Sequence, residues 1–238
     1  MRLEPSDAGE MVNQVLYGEH FKVLEIRKKW SRIRLAHDKY EGWIDNKQYI
    51  DITEEDYFAA DERTPVLATD LLQMATSSDS HILSIPLGAQ LANLDLTGDQ
   101  YEGNTVSEKK DKSAFVNTAL LYLKSPYLWG GRTPFGIDCS GFTQMVYRLN
   151  GHALFRDASQ QAAQGEPLSF IEECEPGDLA FFDNDEGRIV HVGIMLQDNH
   201  IIHAHGEVRI DRIDHTGIYN AERRIHTHKL RVIKRIVE

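Results

Sequence analysis

The chain has 238 residues, with 26 Lys and Arg against 37 Asp and Glu, a formal net charge of −11, and 41% hydrophobic residues. That acidic balance repels phosphate backbones, and with no block of basic residues to offset it nucleic-acid binding is not expected. The opening MRLEPSDAGE has no apolar stretch of signal-peptide length and no later apolar run spans a bilayer, so no membrane insertion is expected. Two cysteines, Cys139 and Cys174, allow at most one bridge, which excludes a disulfide framework. A reducing, cytoplasmic setting is expected, or a periplasmic one if a leader has been removed.

In chain order, residues 6–52 read as short antiparallel strands: Phe21 to Ile26 is mostly apolar, and Ser31, Ile33 and Leu35 alternate with Arg32 and Arg34 before Tyr40-Glu41-Gly42-Trp43. The stretch PLGAQLANLD at 86–95 resembles LYGEHFKVLE at 16–25, and Tyr101-Glu102-Gly103 echoes Tyr40-Glu41-Gly42, which suggests a duplicated β module. DITEEDYFAADERTP at 51–65 reads as an acidic linker, and polar NTVSEKKDKS at 104–113 as a second boundary.

Beyond that boundary the period changes. Phe115, Val116, Ala119, Leu120 and Leu123 have helical spacing up to Ser125-Pro126, where proline stops a helix. A glycine-rich approach, YLWGGRTPFGI, leads to Asp138-Cys139-Ser140-Gly141, and a second helix runs through Phe142, Met145, Val146 and Leu149 to Asn150-Gly151. Pro176-Gly177 opens a strand over 178–182, and more strands are expected at 188–197, 200–204, 207–213 and 229–237. Helices followed by strands predict an α+β C-terminal domain.

Cys139 therefore starts a helix, where the macrodipole and free backbone N–H groups favour a thiolate, and the flanking glycines admit a substrate backbone. A nucleophilic cysteine needs a base and a group to orient it. His191 in IVHVGIML and His203 in IIHAHG lie on two strands joined as a hairpin. They share a face if the loop is centred on a residue and oppose each other across a two-residue loop. His205 competes with His203, whereas His200, His215, His226 and His228 read as exposed. His203-Ala204-His205 has a metal-compatible look, but no HExxH or paired CxxC accompanies it, so neither metal nor cofactor is expected.

Five ordered blocks, PYLWGGRTPFGIDCSGF at 126–142, LFRDASQQ at 154–161, EPGDLAFF at 175–182, HVGIML at 191–196 and IIHAHG at 201–206, resemble the NlpC family of papain-like bacterial cysteine peptidases, which cleave cell-wall peptides. The resemblance implies a papain-like catalytic domain, helices packed on an antiparallel sheet, over 111–238, preceded by two small SH3-like β-barrels at 1–54 and 55–110, the second degenerate. It places the nucleophile at Cys139, the general base at His191 and the orienting residue at His203.

SH3-like domains ahead of this catalytic domain are typical of the subgroup that hydrolyses the γ-D-glutamyl bond to a diamino acid in peptides released from peptidoglycan. The resemblance implies a small peptide partner whose free N-terminal L-alanine amine is held by Tyr127, Asp138, Ser140 and Tyr40, with Ser159 as a further contact. Asp138 is also placed to cap the helix, and Arg132 and Arg156 to pair structurally or to meet substrate carboxylates. Cys174 reads as packing. Two other readings keep the same residues: hydrolysis of intact cell wall, and a binding protein whose Cys and His set is vestigial.

Overall fold

The computed structural model describes residues 1–238, which divide into two compact units: 1–108 with 129–133, and 109–128 with 134–238. The boundary at 108/109 falls inside the polar segment expected to end the front half. No helix is long and apolar enough to cross a membrane.

The N-terminal unit begins with the antiparallel sheet β1 (Phe21–Ile26), β2 (Trp30–Leu35) and β3 (Glu41–Asp45) in that order. Alternation along β2 buries Ile33 and Leu35, which form a cluster with Ile44, as the sequence pattern predicts. The expected linker at 51–65 instead contains helix α1 (Glu54–Glu62). Its acids cluster in the first turn, Glu54, Glu55 and Asp56, where the dipole favours them, and Thr53 Oγ1 caps the Asp56 N–H at 3.1 Å. Composition pointed to a linker because the helix buries only Tyr57 and Ala60.

Next come β4 (Leu67–Ala68), β5 (Leu72–Thr76), β6 (Ile82–Pro86), the short α2 (Leu94–Thr97), β7 (Gln100–Tyr101) and β8 (Thr105–Val106). They form a β6-β5-β7 sheet and a β4-β8 pair with a separate core of Ala68, Ala75, Ile85, Ala89 and Leu91. The segment β9 (Arg132–Thr133) completes this unit. Arg132 is fully buried and bonds bidentately to buried Glu19 at 2.9 Å and 2.9 Å, so it pairs structurally.

The C-terminal unit opens with α3 (Phe115–Leu120), shorter than the apolar spacing predicts. Leu121 and Leu123 lie exposed in the following turn, which ends at Lys124 with φ of 70°. After β10 (Gly136–Ile137) come α4 (Cys139–Leu149) and α5 (Ala158–Gln161). The remainder is sheet: β11 (Glu166–Leu168), β12 (Leu179–Asp183), β13 (Ile189–Met195), β14 (His200–His205), β15 (Glu207–Ile213), β16 (Gly217–Asn220) and β17 (Ile225–Arg235). The order is β11-β17-β12-β13-β14-β15-β16, and β16 pairs back onto β17 to close the sheet into a barrel.

Helix α4 is buried all round except at Arg148, and packs against β13, β14, α3 and α5. Burial on every side explains its polar partners: Thr143 donates to Gln161 Oε1 at 2.7 Å, and Tyr147 donates to the Gly177 carbonyl at 2.7 Å. Asn150 caps its C-terminus and Gly151 follows at φ 79°, the stop read from the sequence. Short β11 and β16 were not foreseen, since four residues or fewer give no usable period.

Candidate active site

Cys139 is the first residue of α4, and Asp138 is its N-cap, accepting the Gly141 N–H at 2.6 Å. The same carboxylate takes a buried bidentate bond from Arg156, Nη1 to Oδ1 at 2.9 Å and Nη2 to Oδ2 at 2.6 Å, and Arg156 Nη1 also donates to Ser140 Oγ at 3.0 Å. Arg156 is thus a structural partner that fixes the segment carrying the thiol. Asp138 proves to be both cap and ion-pair partner, with both oxygens occupied. Tyr127 is half-buried, and its hydroxyl is held protonated by burial, with Cys139 and Asp138 adding to the effect.

The Cys139 sulfur accepts the backbone N–H of Val192, the residue next to His191. The helix start was expected to favour a thiolate, but burial pushes the thiol up to about 12, with Asp138 adding to the effect. The Val192 and Ser140 N–H groups and Arg156 oppose this without overcoming it. Burial also holds His191 well below the ordinary histidine range, reinforced by His203, His228 and His205. Burial thus favours the neutral thiol and the neutral imidazole.

The hairpin register answers the question of faces. Gly193 opposes His203, Ile194 opposes Ile202 and Met195 opposes Ile201, which centres the loop on Asp198 and puts His191 and His203 diagonally on one face. His191 Nε2 lies 2.8 Å from His203 Nδ1, and His203 Nε2 lies 3.0 Å from Asp211 Oδ2. Arg209 holds that carboxylate at 2.7 Å and 3.0 Å. Despite burial, the His203 and Arg209 bonds lower Asp211 to about 2, so it only accepts. His203, kept neutral mainly by burial, must then carry its proton on Nε2 and accept at Nδ1. His191 therefore donates through Nε2–H, and its Nδ1 lone pair is left as a base.

His205 is exposed and makes only ring contacts, 6.2 Å to His203, 6.5 Å to His191 and 4.8 Å to His228 between centroids, whereas His203 is hydrogen-bonded to His191, so the geometry favours His203 as the partner of His191. Ser159 is exposed on α5, and Tyr40 belongs to the N-terminal unit, where it packs against Ile33, Leu35 and Ile44. Cys174 packs half-buried on the barrel core, as expected. His200 is half-buried, and His226 pairs with Asp214 at 3.0 Å. His228, read as exposed, is instead half-buried and stacks on His191 with centroids 4.2 Å apart. Strand β17 follows a stretch with no clear hairpin signal, so its register was hidden. Asp211 was also missed, because EVRIDRI alternates like a solvated strand, although Arg209 and Asp211 share a face with His203.

Residues 124–228 match the NlpC/P60 family, and residues 1–48 match the bacterial dipeptidyl-peptidase Sh3 domain. A dipeptidyl-peptidase 6 from Lysinibacillus sphaericus is 29% identical over 89% of this chain and 87% of its own length. A γ-D-glutamyl-L-lysine dipeptidyl-peptidase from Bacillus cereus is 26% identical over 84% of this chain and 68% of its own. The crystal structure of an NlpC/P60 family protein from Bacillus cereus superposes with a TM-score of 0.77 at 23% identity, covering 95% of this chain and 82% of the other, and so shares its fold. Those matches fall on both the front β domain and the barrel that carries the cysteine and histidines: the chain carries an NlpC/P60 domain, the domain of a peptidase family, and a bacterial SH3 domain at its N-terminus.

Proposed function

We propose that the chain is a cysteine endopeptidase that hydrolyses the γ-D-glutamyl bond to a diamino acid in peptidoglycan-derived peptides with a free N-terminal L-alanine, a cytoplasmic recycling reaction. The observation that carries this reading is the hydrogen-bond relay Arg209–Asp211–His203–His191, which leaves the Nδ1 lone pair of His191 free of it, on the strand whose Val192 N–H meets the Cys139 sulfur. Similarity to the dipeptidyl-peptidases supports the bond cleaved.

The Cys139 thiol passes its proton to His191 Nδ1 as sulfur attacks the γ-carbonyl of D-glutamate. The oxyanion forms at the N-terminus of α4, where the Cys139 backbone N–H is unsatisfied by the helix and the Tyr127 hydroxyl is a second donor. His191 then protonates the departing amine and the acyl-enzyme forms. Water, deprotonated by the same nitrogen, releases the product and restores the thiol. His203 and Asp211 keep the His191 tautomer fixed and balance its transient positive charge.

The alanine ammonium is assigned to Asp138, Ser140 and Tyr127. Because Arg156 already balances Asp138, the ammonium gains charge-assisted hydrogen bonds, of about 1.5–3 kcal/mol, without an unpaired carboxylate to neutralise. At about 1.4 kcal/mol per tenfold, blocking the amine should cost roughly ten- to 150-fold in kcat/KM.

The test compares L-Ala-γ-D-Glu-diamino-acid peptide with its N-acetyl and muramyl forms, using purified protein and Cys139→Ser as the blank. A free-amine preference supports the proposal. Equal rates would replace it with intact-wall hydrolysis, and no turnover at all with a wall-peptide binding protein.

A further inference from the structure

His228 has no part in the relay, yet it completes a cluster. Its ring stacks on His191 at 4.2 Å between centroids and meets His203 edge-on at 5.6 Å. One nitrogen from each of His191, His203 and His228 lies within 4.8 Å of the other two. The outer nitrogens of two rings are already held. His203 Nε2–H donates to Asp211 at 3.0 Å, and His228 Nδ1 lies 2.9 Å from Thr227 Oγ1. The Thr227 hydroxyl donates to the Ile218 carbonyl at 3.4 Å, so its oxygen accepts from His228 Nδ1–H and leaves Nε2 as a lone pair. Histidines that bind metals are typically oriented this way, with the far N–H given to a carboxylate or another oxygen.

We propose that His191 Nε2, His203 Nδ1 and His228 Nε2 form a three-nitrogen site for a zinc ion, and that zinc bound there switches the peptidase off. Three imidazoles with no oxygen ligand suit zinc over magnesium or calcium, and a fourth tetrahedral position stays open for water. Coordination needs small movements. The 2.8 Å between His191 Nε2 and His203 Nδ1 must open to about 3.3 Å, the spacing set by Zn–N bonds of about 2.0–2.1 Å, and His228 must tilt off its stack. The proton balance is simple: His191 gives its Nε2 lone pair to zinc, and the proton formerly there moves through solvent to Nδ1, with no net release. An Nδ1 that carries a proton cannot take one from Cys139, so zinc removes the base without touching the sulfur.

The full-length Cys139→Ser protein removes the competing thiol and measures binding without turnover, so the outcome is independent of the peptidase reading. Titration with Zn²⁺ by calorimetry should give one equivalent, and Co²⁺ should show tetrahedral visible bands that Zn²⁺ abolishes. His228→Asn should weaken binding on the order of 100-fold or more, while His205→Asn leaves it nearly unchanged. In the protein with all histidines intact, imidazole ¹⁵N shifts should move for His191, His203 and His228 together at one equivalent, a readout that does not depend on whether His228→Asn folds. Active enzyme should be inhibited by Zn²⁺ and restored by EDTA. The proposal is overturned by absence of binding at about 100 micromolar Zn²⁺, which excludes a dissociation constant in or below that range, by equal binding in folded His228→Asn protein, or by shifts confined to His200, His215 and His226.

Discussion

Asp211 tests the relay most directly, because its carboxylate alone dictates which nitrogen of His203 carries a proton. Asp211→Asn can turn its amide N–H₂ toward His203 Nε2, which reverses the tautomer and faces two N–H groups across the 2.8 Å gap to His191. We expect kcat to fall on the order of 10²–10⁴-fold with KM little changed, and the acid limb of the rate profile to shift, since His191 loses its acceptor. A KM effect alone, or an unshifted profile, would place Asp211 outside the relay. Cys139→Ser should abolish turnover and Cys174→Ser should not. His191→Ala should cost more than His203→Ala, because the first removes the base and the second only its orientation. Equal losses in the two cysteine variants would refute the assignment of the nucleophile.

Helix α4 shows how one residue can be both legible and misread. The cap, helix start and C-terminal stop were all readable from Asp138, Cys139 and Asn150-Gly151, since capping is local chemistry. The Arg156 pair was not, because no short-range pattern links two residues that meet only through tertiary packing. Asp138→Ala therefore removes more than a cap, worth about 0.5–2 kcal/mol. It also strands a buried guanidinium, for which losses of about 3–5 kcal/mol are typical. Urea unfolding should show the larger figure, and Asp138→Ala/Arg156→Met should recover part of it. A loss of only about 1 kcal/mol would leave the ion pair without a stabilising role. The sheet follows the same division. The hairpin of His191 and His203 was visible up to its register, which a loop length decides, whereas His228 reaches the cluster through β17, whose pairing with β12 and β16 is long-range.

At the scale of the molecule, the two units carry different reporters and different acid sensitivities. All three tryptophans, Trp30, Trp43 and Trp129, lie in the N-terminal unit, and His191, His203 and His228 lie in the C-terminal one. Burial lowers the first two histidines and takes His228 to about 3, from an ordinary 6.5. Below pH 6.5 the unfolded C-terminal unit binds protons that the folded one refuses, so this stability is fully present above 6.5 and is lost as pH falls. Each such histidine contributes a slope of up to about 1.4 kcal/mol per pH unit. Asp211, lowered to about 2 by His203 and Arg209 despite burial, adds loss only below 3.8. In the N-terminal unit the Asp38 carboxyl is likewise held well below its usual range, by His37, the Tyr40 N–H and Arg132 against burial, so its contribution also survives until about pH 4. Acidification from pH 7 to 4.5 should therefore lower the urea midpoint of activity and of far-UV circular dichroism, while the midpoint of tryptophan emission moves much less. His228→Asn should remove about a third of the slope on the first two signals and nothing from the third. If both sets of signals moved together over this range, or if the slope survived His228→Asn intact, the acid lability would have to come from groups other than the buried histidines of the barrel.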